Sequence, residues 1–109
     1  MLFYVQMKWN FRDLSFDDLM KLEAQETGHA AETVASKMVV GIWKVASQHR
    51  VIAVVDVKSA EELDHNSMFG LPMRGNIEFE VVWPLCDYQE FANDLAKYVQ
   101  DLTNKNRSS

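Results

Sequence analysis

Twice in this chain a serine with an acid three residues downstream stands just past a β-rich run. Ser15 precedes Asp18, and Ser59 precedes Glu62. A serine so placed can accept the backbone N–H of the third residue and start a helix, and Asp17 and Asp18 suit the positive end of the helix dipole. The placement predicts helices over residues 16 to about 37 and 60 to about 69, the second stopped by Gly70 and Pro72. Strand patterns surround them. Phe3, Val5, Met7 and Trp9 alternate with Tyr4, Gln6 and Lys8 over residues 2–9. Further β-rich runs cover residues 39–47 and 50–57, joined by the polar Ser47-Gln48-His49-Arg50, and residues 76–83 form a fourth run ended by Pro84. A third helix is expected over residues 88 to about 102, with Phe91, Leu95, Tyr98, Val99 and Leu102 on one face.

The order is βαββαβ plus a terminal helix. It predicts an α+β fold of the ferredoxin-like type, an antiparallel sheet with two helices on one face. One domain is expected over residues 1–104, with a frayed tail over 105–109. Both faces of that sheet carry apolar residues, since Val51, Ala53 and Val55 alternate with Ile52 and Val54, and Trp43 sits beside Ile42. Two helices cover only one face. The other face calls for a second copy of the sheet, giving a homodimer of the dimeric α+β barrel kind, with the third helix as an alternative cover.

Composition narrows the function. The chain has 109 residues, 48% hydrophobic and 25% charged, which suits one globular core. A net charge of −5 argues against nucleic acid, whose phosphates need clustered Lys and Arg. No apolar run approaches the ~20 residues of a membrane span, and the opening MLFYVQMKWN lacks the features of a signal peptide. A lone Cys86 fits a reducing compartment, so a cytoplasmic location is expected. No zinc-spaced Cys/His cluster and no glycine-rich phosphate loop is present, so neither metal nor organic cofactor is expected.

The segment LEAQETGHAAE, residues 22–32, holds the chemistry. On a helical wheel Phe16, Leu19, Met20, Ala30, Ala31, Val34 and Met38 form an apolar stripe. Glu26 falls at its edge, Glu23 and Thr27 within it, and His29 on the polar side. A carboxylate in an apolar stripe is costly unless paired, and desolvation raises its pKa toward the range of a general acid or base. The blander reading is a surface helix whose Glu23 reaches Lys37 or Lys44. His29, three residues from Glu26, is a candidate proton shuttle or a solvated surface group. Trp43 is a core, interface or ligand-wall residue, with Lys44 on the opposite face of its strand. Tyr4 can offer its hydroxyl to a ligand or to backbone. His49 and His65 read as turn and surface residues, and Cys86 has no nearby histidine to activate it.

The segments MLFYVQM, LEAQE, IWKVA and VVDVKSAEEL, and LPM followed by EFEV, occur in an order that resembles muconolactone Δ-isomerase and its relatives over residues 1–83. The resemblance implies a ferredoxin-like fold that dimerises through its sheet and often builds larger rings. It implies proton transfer within an enol-lactone ring, without metal or organic cofactor, and in some relatives chloride elimination. It matches Glu26 to a family glutamate and Trp43-Lys44 to a family Trp-Arg pair. The chain departs from that pattern at Lys44, at Ser47-Gln48 (Gly-His or Gly-Arg in the family), at Val51 (Asn) and at Arg74-Gly75-Asn76 (an aromatic, proline-bearing turn). Lysine clamps a carboxylate less well than arginine, and losing His and Asn removes groups that would hold a lactone acid.

Three functions compete. The first is a cofactor-free isomerase, cyclase or lyase of a small cyclic or unsaturated acid or lactone. Glu26 would move the proton, Glu23 or His29 would tune it, Lys44 would neutralise carboxylate or enolate, and Tyr4, Met7 and Trp43 would form the apolar wall. The second is a non-catalytic oligomeric ligand-binding or scaffold protein, favoured by the departures at Gln48 and Val51. The third is a cofactor-independent monooxygenase, which other dimeric α+β barrels support.

Overall fold

Both serine caps form in the computed structural model, which describes residues 1–107. Ser15 Oγ accepts the Asp18 N–H at 3.2 Å and opens α1, Phe16–Ala35. Ser59 Oγ accepts the Glu62 N–H at 3.1 Å and opens α2, Ala60–Phe69. The remaining elements are β1 (Leu2–Trp9), β2 (Val39–Lys44), β3 (Arg50–Asp56), β4 (Ile77–Leu85) and α3 (Tyr88–Arg107). The strands form one antiparallel sheet in the order β2-β3-β1-β4, the expected split-βαβ topology.

Register decides which side chains meet. Phe3 pairs with Val55 and Val5 with Ala53, and all four are buried beneath the helices. Leu19 of α1 and Met73 of the α2–β4 loop are fully enclosed, beside Trp9 and Ile77. The opposite face carries Tyr4, Trp43, Ile52, Val54 and Trp83, with Trp43 and Trp83 largely exposed. Tyr4 and Trp83 stack there with ring centroids 5.4 Å apart. Trp43 lies over Gly41, where a Cβ would come within 2.5 Å of its ring, so a side chain at 41 would push the exposed indole aside. At a bulge Gln6 pairs with Val81 and Met7 with Phe79, leaving Glu80 as the extra residue. Arg50 grips Glu80 with two bonds, Nε–Oε1 at 2.9 Å and Nη2–Oε2 at 3.1 Å, and holds that carboxyl below its ordinary pKa.

Four boundaries differ from the sequence expectation by two residues or more. β2 ends at Lys44 instead of residue 47, because Val45 to Gln48 form a turn with Ser47 at φ 61°. α1 stops at Ala35, where Lys37 at φ 66° turns the chain out of the helix. β4 runs through Pro84 to Leu85, since an edge strand has no outer partner to miss the proline's absent N–H. α3 continues to Arg107, so residues 105–107 of the expected frayed tail are helical, and 108–109 lie outside the described residues. α3 does not cover the bare sheet face. Among the described residues its apolar side chains Tyr88, Phe91, Leu95, Tyr98, Val99 and Leu102 are exposed, and the molecule extends 72 Å against 26 and 22 Å in the other directions. Among the described residues no helix is long and apolar enough to cross a membrane.

Candidate functional site

α1 changes character halfway along. Its first turns carry Leu19, Met20 and Leu22, which fill the space above the sheet. Its later turns carry Thr27, Gly28, Ala30 and Ala31, which do not. Two adjoining cavities remain between this half of α1 and the sheet, about 190 Å3 and about 320 Å3. Glu26, Ala30, Met7 and Ile42 line both. The first continues beneath α2 past Leu63, Asn66 and Ser67, with His29 and Thr33 on the α1 side. The second is bounded by Trp9, Thr27, Lys44 and Val51. The hydroxyls of Thr27 and Thr33 bond back to the carbonyls of Ala24 and Ala30 at 2.8 and 2.9 Å, leaving little free polarity in the walls.

Glu26 sits at the junction. Its Oε2 accepts the Met73 backbone N–H at 3.1 Å, so the α2–β4 loop fixes the carboxyl. Burial pushes its pKa above the ordinary value. The Met73 N–H and the nearby His29 pull the other way without cancelling the rise. A carboxyl held this way keeps its proton to higher pH than a free one and is placed to take and return it, the property a general acid–base needs.

The structure brings together Glu26, His29, Met7 and Lys44 from the residues singled out in the sequence. His29 is half-buried on the cavity side, although the wheel set it on the polar face. Lys44 borders the second cavity, with Nζ donating to the Val45 carbonyl at 3.1 Å. Glu23 lies elsewhere. Its Oε1 is 3.4 Å from His49 Nδ1, an ion-pair distance when that histidine is protonated. The geometry is too poor for a hydrogen bond, and Oε1 is buried without one. Tyr4 and Trp43 stand on the bare face of the sheet and line neither cavity, and the Tyr4 hydroxyl donates to Gln6 Oε1 at 3.0 Å. Among the described residues no three His, Cys, Asp or Glu side chains are grouped to hold a metal ion.

Sequence reasoning missed Asn66, Ser67 and the Met73 N–H. Leu63, Asn66 and Ser67 follow i, i+3, i+4 spacing, so the apolar Leu63 was a signal that the two polar groups share its face. Nothing in the sequence announces a backbone donor at Met73.

Residues 1–90 match the family described as muconolactone delta-isomerase. The chain is similar to a crystal structure of muconolactone isomerase at 3.3 Å resolution, with a TM-score of 0.70 and 28% identity over 81% of this chain and 91% of that one. No match was found among curated proteins. The chain belongs to the muconolactone delta-isomerase family.

Proposed function

We propose that this family member is an isomerase that moves a proton within a small cyclic lactone or unsaturated organic acid, and that Glu26 carries the proton. The observation that carries this reading is the fixed, half-buried Glu26 carboxyl between two apolar cavities. Ionised Glu26 takes a proton from carbon next to the lactone carbonyl. The C–H electron pair moves into the ring and places negative charge on the carbonyl oxygen as a dienolate. Glu26 then returns the proton to a more distant carbon and the double bond shifts. The carboxylate ends as it began, and the reaction needs no oxidant, reductant or organic cofactor.

The other groups have separate tasks. Lys44 supplies positive charge at the second cavity for a substrate carboxylate or the dienolate oxygen, which requires its Nζ to exchange the Val45 carbonyl for the ligand. His29 supports the charge on Glu26. Met7 and Ile42 form the apolar floor. Glu23, turned to His49, takes no part in proton transfer on this reading. The bare sheet face with Trp43, Trp83 and Tyr4 is the surface for a homodimer partner, so Tyr4 and Trp43 serve assembly more than substrate.

A second reading, non-catalytic binding of a small apolar ligand, draws on the shortage of polar lining, with Val51 at the second cavity. Solvent-deuterium incorporation into small unsaturated lactones, followed by NMR, separates the two. Exchange that disappears in Glu26→Gln and persists in Glu23→Gln supports the isomerase. Binding without exchange in the native protein supports the second reading.

A further inference from the structure

The inward face of α2 is polar where a helix lying over a sheet is expected to be apolar. Leu63 sets that face, and Asn66 and Ser67 follow it at three and four residues, lining the first cavity. Met68 and Phe69, the large apolar residues at the end of the same helix, stay outside and are 49% and 69% exposed. Burial alone would turn the helix the other way. A local choice that runs against burial is what a ligand site leaves in a sequence. Hydrogen bonding singles out the same pair. Of the three hydroxyl and amide side chains that line this cavity, Thr33 is committed to the Ala30 carbonyl at 2.9 Å. The Asn66 side-chain amide has only Met38, with Nδ2 3.8 Å from a thioether sulfur, a weak acceptor that an oxygen would displace. The Ser67 hydroxyl makes no hydrogen bond among the described residues.

Charge divides the two cavities. No lysine or arginine lines the first, and its one carboxyl, Glu26, would repel a second. Lys44 lines the other. A substrate carboxylate therefore belongs with Lys44, and the neutral end of the same molecule belongs under α2, with Glu26 between them. The first cavity, about 190 Å3, has room for a single ring, since about 150 Å3 holds benzene. We propose that Asn66, with Ser67 beside it, is the carbonyl site of the reaction. Asn66 Nδ2 and Ser67 Oγ donate to the ring carbonyl oxygen of an unsaturated lactone whose carboxylate arm reaches Lys44. The assignment rests on the isomerase reading for the nature of the ring, and adds which end of the substrate lies in which cavity. The carbonyl oxygen is the atom that gains negative charge when Glu26 takes the proton, so a fixed donor there stabilises the dienolate. Lys44 then serves the carboxylate arm.

Two probes test this on the full chain. One is an unsaturated five-membered lactone with a carboxymethyl arm. The other is the dihydrofuran acid with the same ring and arm but no ring carbonyl. Affinities are taken by calorimetry, and deuterium uptake into the lactone by NMR. Asn66→Leu is expected to weaken lactone binding about ten-fold, the scale of one or two hydrogen bonds, and to leave the dihydrofuran acid within about two-fold. It is expected to slow deuterium uptake about 10²-fold, as loss of an oxyanion donor does. Lys44→Met is expected to weaken both acids alike. Retained binding of the dihydrofuran acid shows that the Asn66 variant is folded, and Asn66→Ala, run beside it, is expected to give the same pattern. Equal losses for the two probes in the Asn66 variants, or lactone binding and uptake unchanged in them, would overturn the assignment. So would a native protein that binds the lactone no better than the dihydrofuran acid. Native protein that prefers the lactone yet shows no uptake would end the isomerase reading alone, because the difference between the probes still decides the role of Asn66.

Discussion

The two halves of α1 lie on the same sheet, in the same helix, and do different things. In the first half Leu19 is fully enclosed among Trp9, Met73 and Ile77. In the second half Ala30 and Ala31 take the positions that would fill the space, and two cavities open beneath them. The difference follows from side-chain volume. Large residues in one half supply the burial that stabilises the fold, roughly 1.5–3 kcal/mol for each large apolar side chain. Small residues in the other half forgo that burial and leave room for a ligand. The two carboxylates divide the same way. Glu23 leans on His49 beside the packed half, and Glu26 hangs over the open half on the Met73 N–H.

The sharpest way to break this division is to neutralise each carboxylate. Glu26→Gln is expected to slow deuterium exchange by about 10²–10⁴-fold, the usual contribution of a positioned acid–base, while Glu23→Gln changes it only a few-fold. Comparable losses from both would place the two glutamates in one site. Next in size come the packing variants, measured by urea denaturation. Leu19→Ala is expected to cost about 2–5 kcal/mol. Ala30→Leu, which enters a cavity, is expected to change stability by about 1 kcal/mol or less while abolishing ligand binding. If Ala30→Leu destabilises as much as Leu19→Ala, the second half is not underpacked.

The pH dependence sharpens the contrast further. Burial raises the native pKa of Glu26 above its unfolded value, so the native state holds the proton more tightly. Its contribution to stability is then full below the unfolded pKa and is lost as pH rises through the native one. The Glu26→Gln variant lacks this loss. The melting temperature of the variant relative to native protein is therefore expected to climb as pH rises from the unfolded carboxyl value of about 4.3 through the native one, while proton-exchange activity in the native protein rises over the same window. A flat difference would mean the carboxyl is not desolvated. The smallest effect lies far from either half. Ser47 holds φ 61°, a conformation that costs a side-chain-bearing residue about 1–2 kcal/mol. Ser47→Gly is expected to stabilise the protein by about 1 kcal/mol in thermal unfolding, and a loss would show that the Ser47 side chain contributes to the turn.

Much of the fold was legible because the deciding signals are local. Ser15 and Ser59 mark helix starts wherever the sheet goes, and the alternation from Phe3 to Trp9 sets one strand face without knowing its neighbours. The misplaced ends have non-local causes. Pro84 ends a strand only if that strand has neighbours on both sides, and β4 has one. The site was legible in part. The wheel put Glu26 at the margin of the stripe, yet it could not rank Glu26 against Glu23, because that depends on what the sheet and the α2–β4 loop bring beneath each. Trp43 and Lys44 were correctly set on opposite faces by parity. Which face met the helices required the pairing register. Tyr4 and Trp43 were placed on the ligand wall with Met7, and the register sets both on the other side of the sheet, away from the cavities.

β4 has one further consequence. A free strand edge is a template on which other strands can add without limit, the route into fibrils. Here that edge is interrupted twice. Pro84 has no N–H to donate, and the bulge at Glu80 breaks the regular spacing of donors and acceptors. A newcomer strand would find an incomplete ladder. Growth by strand addition is disfavoured along this side, and association is steered toward contacts that close on themselves and stop at a fixed number of chains.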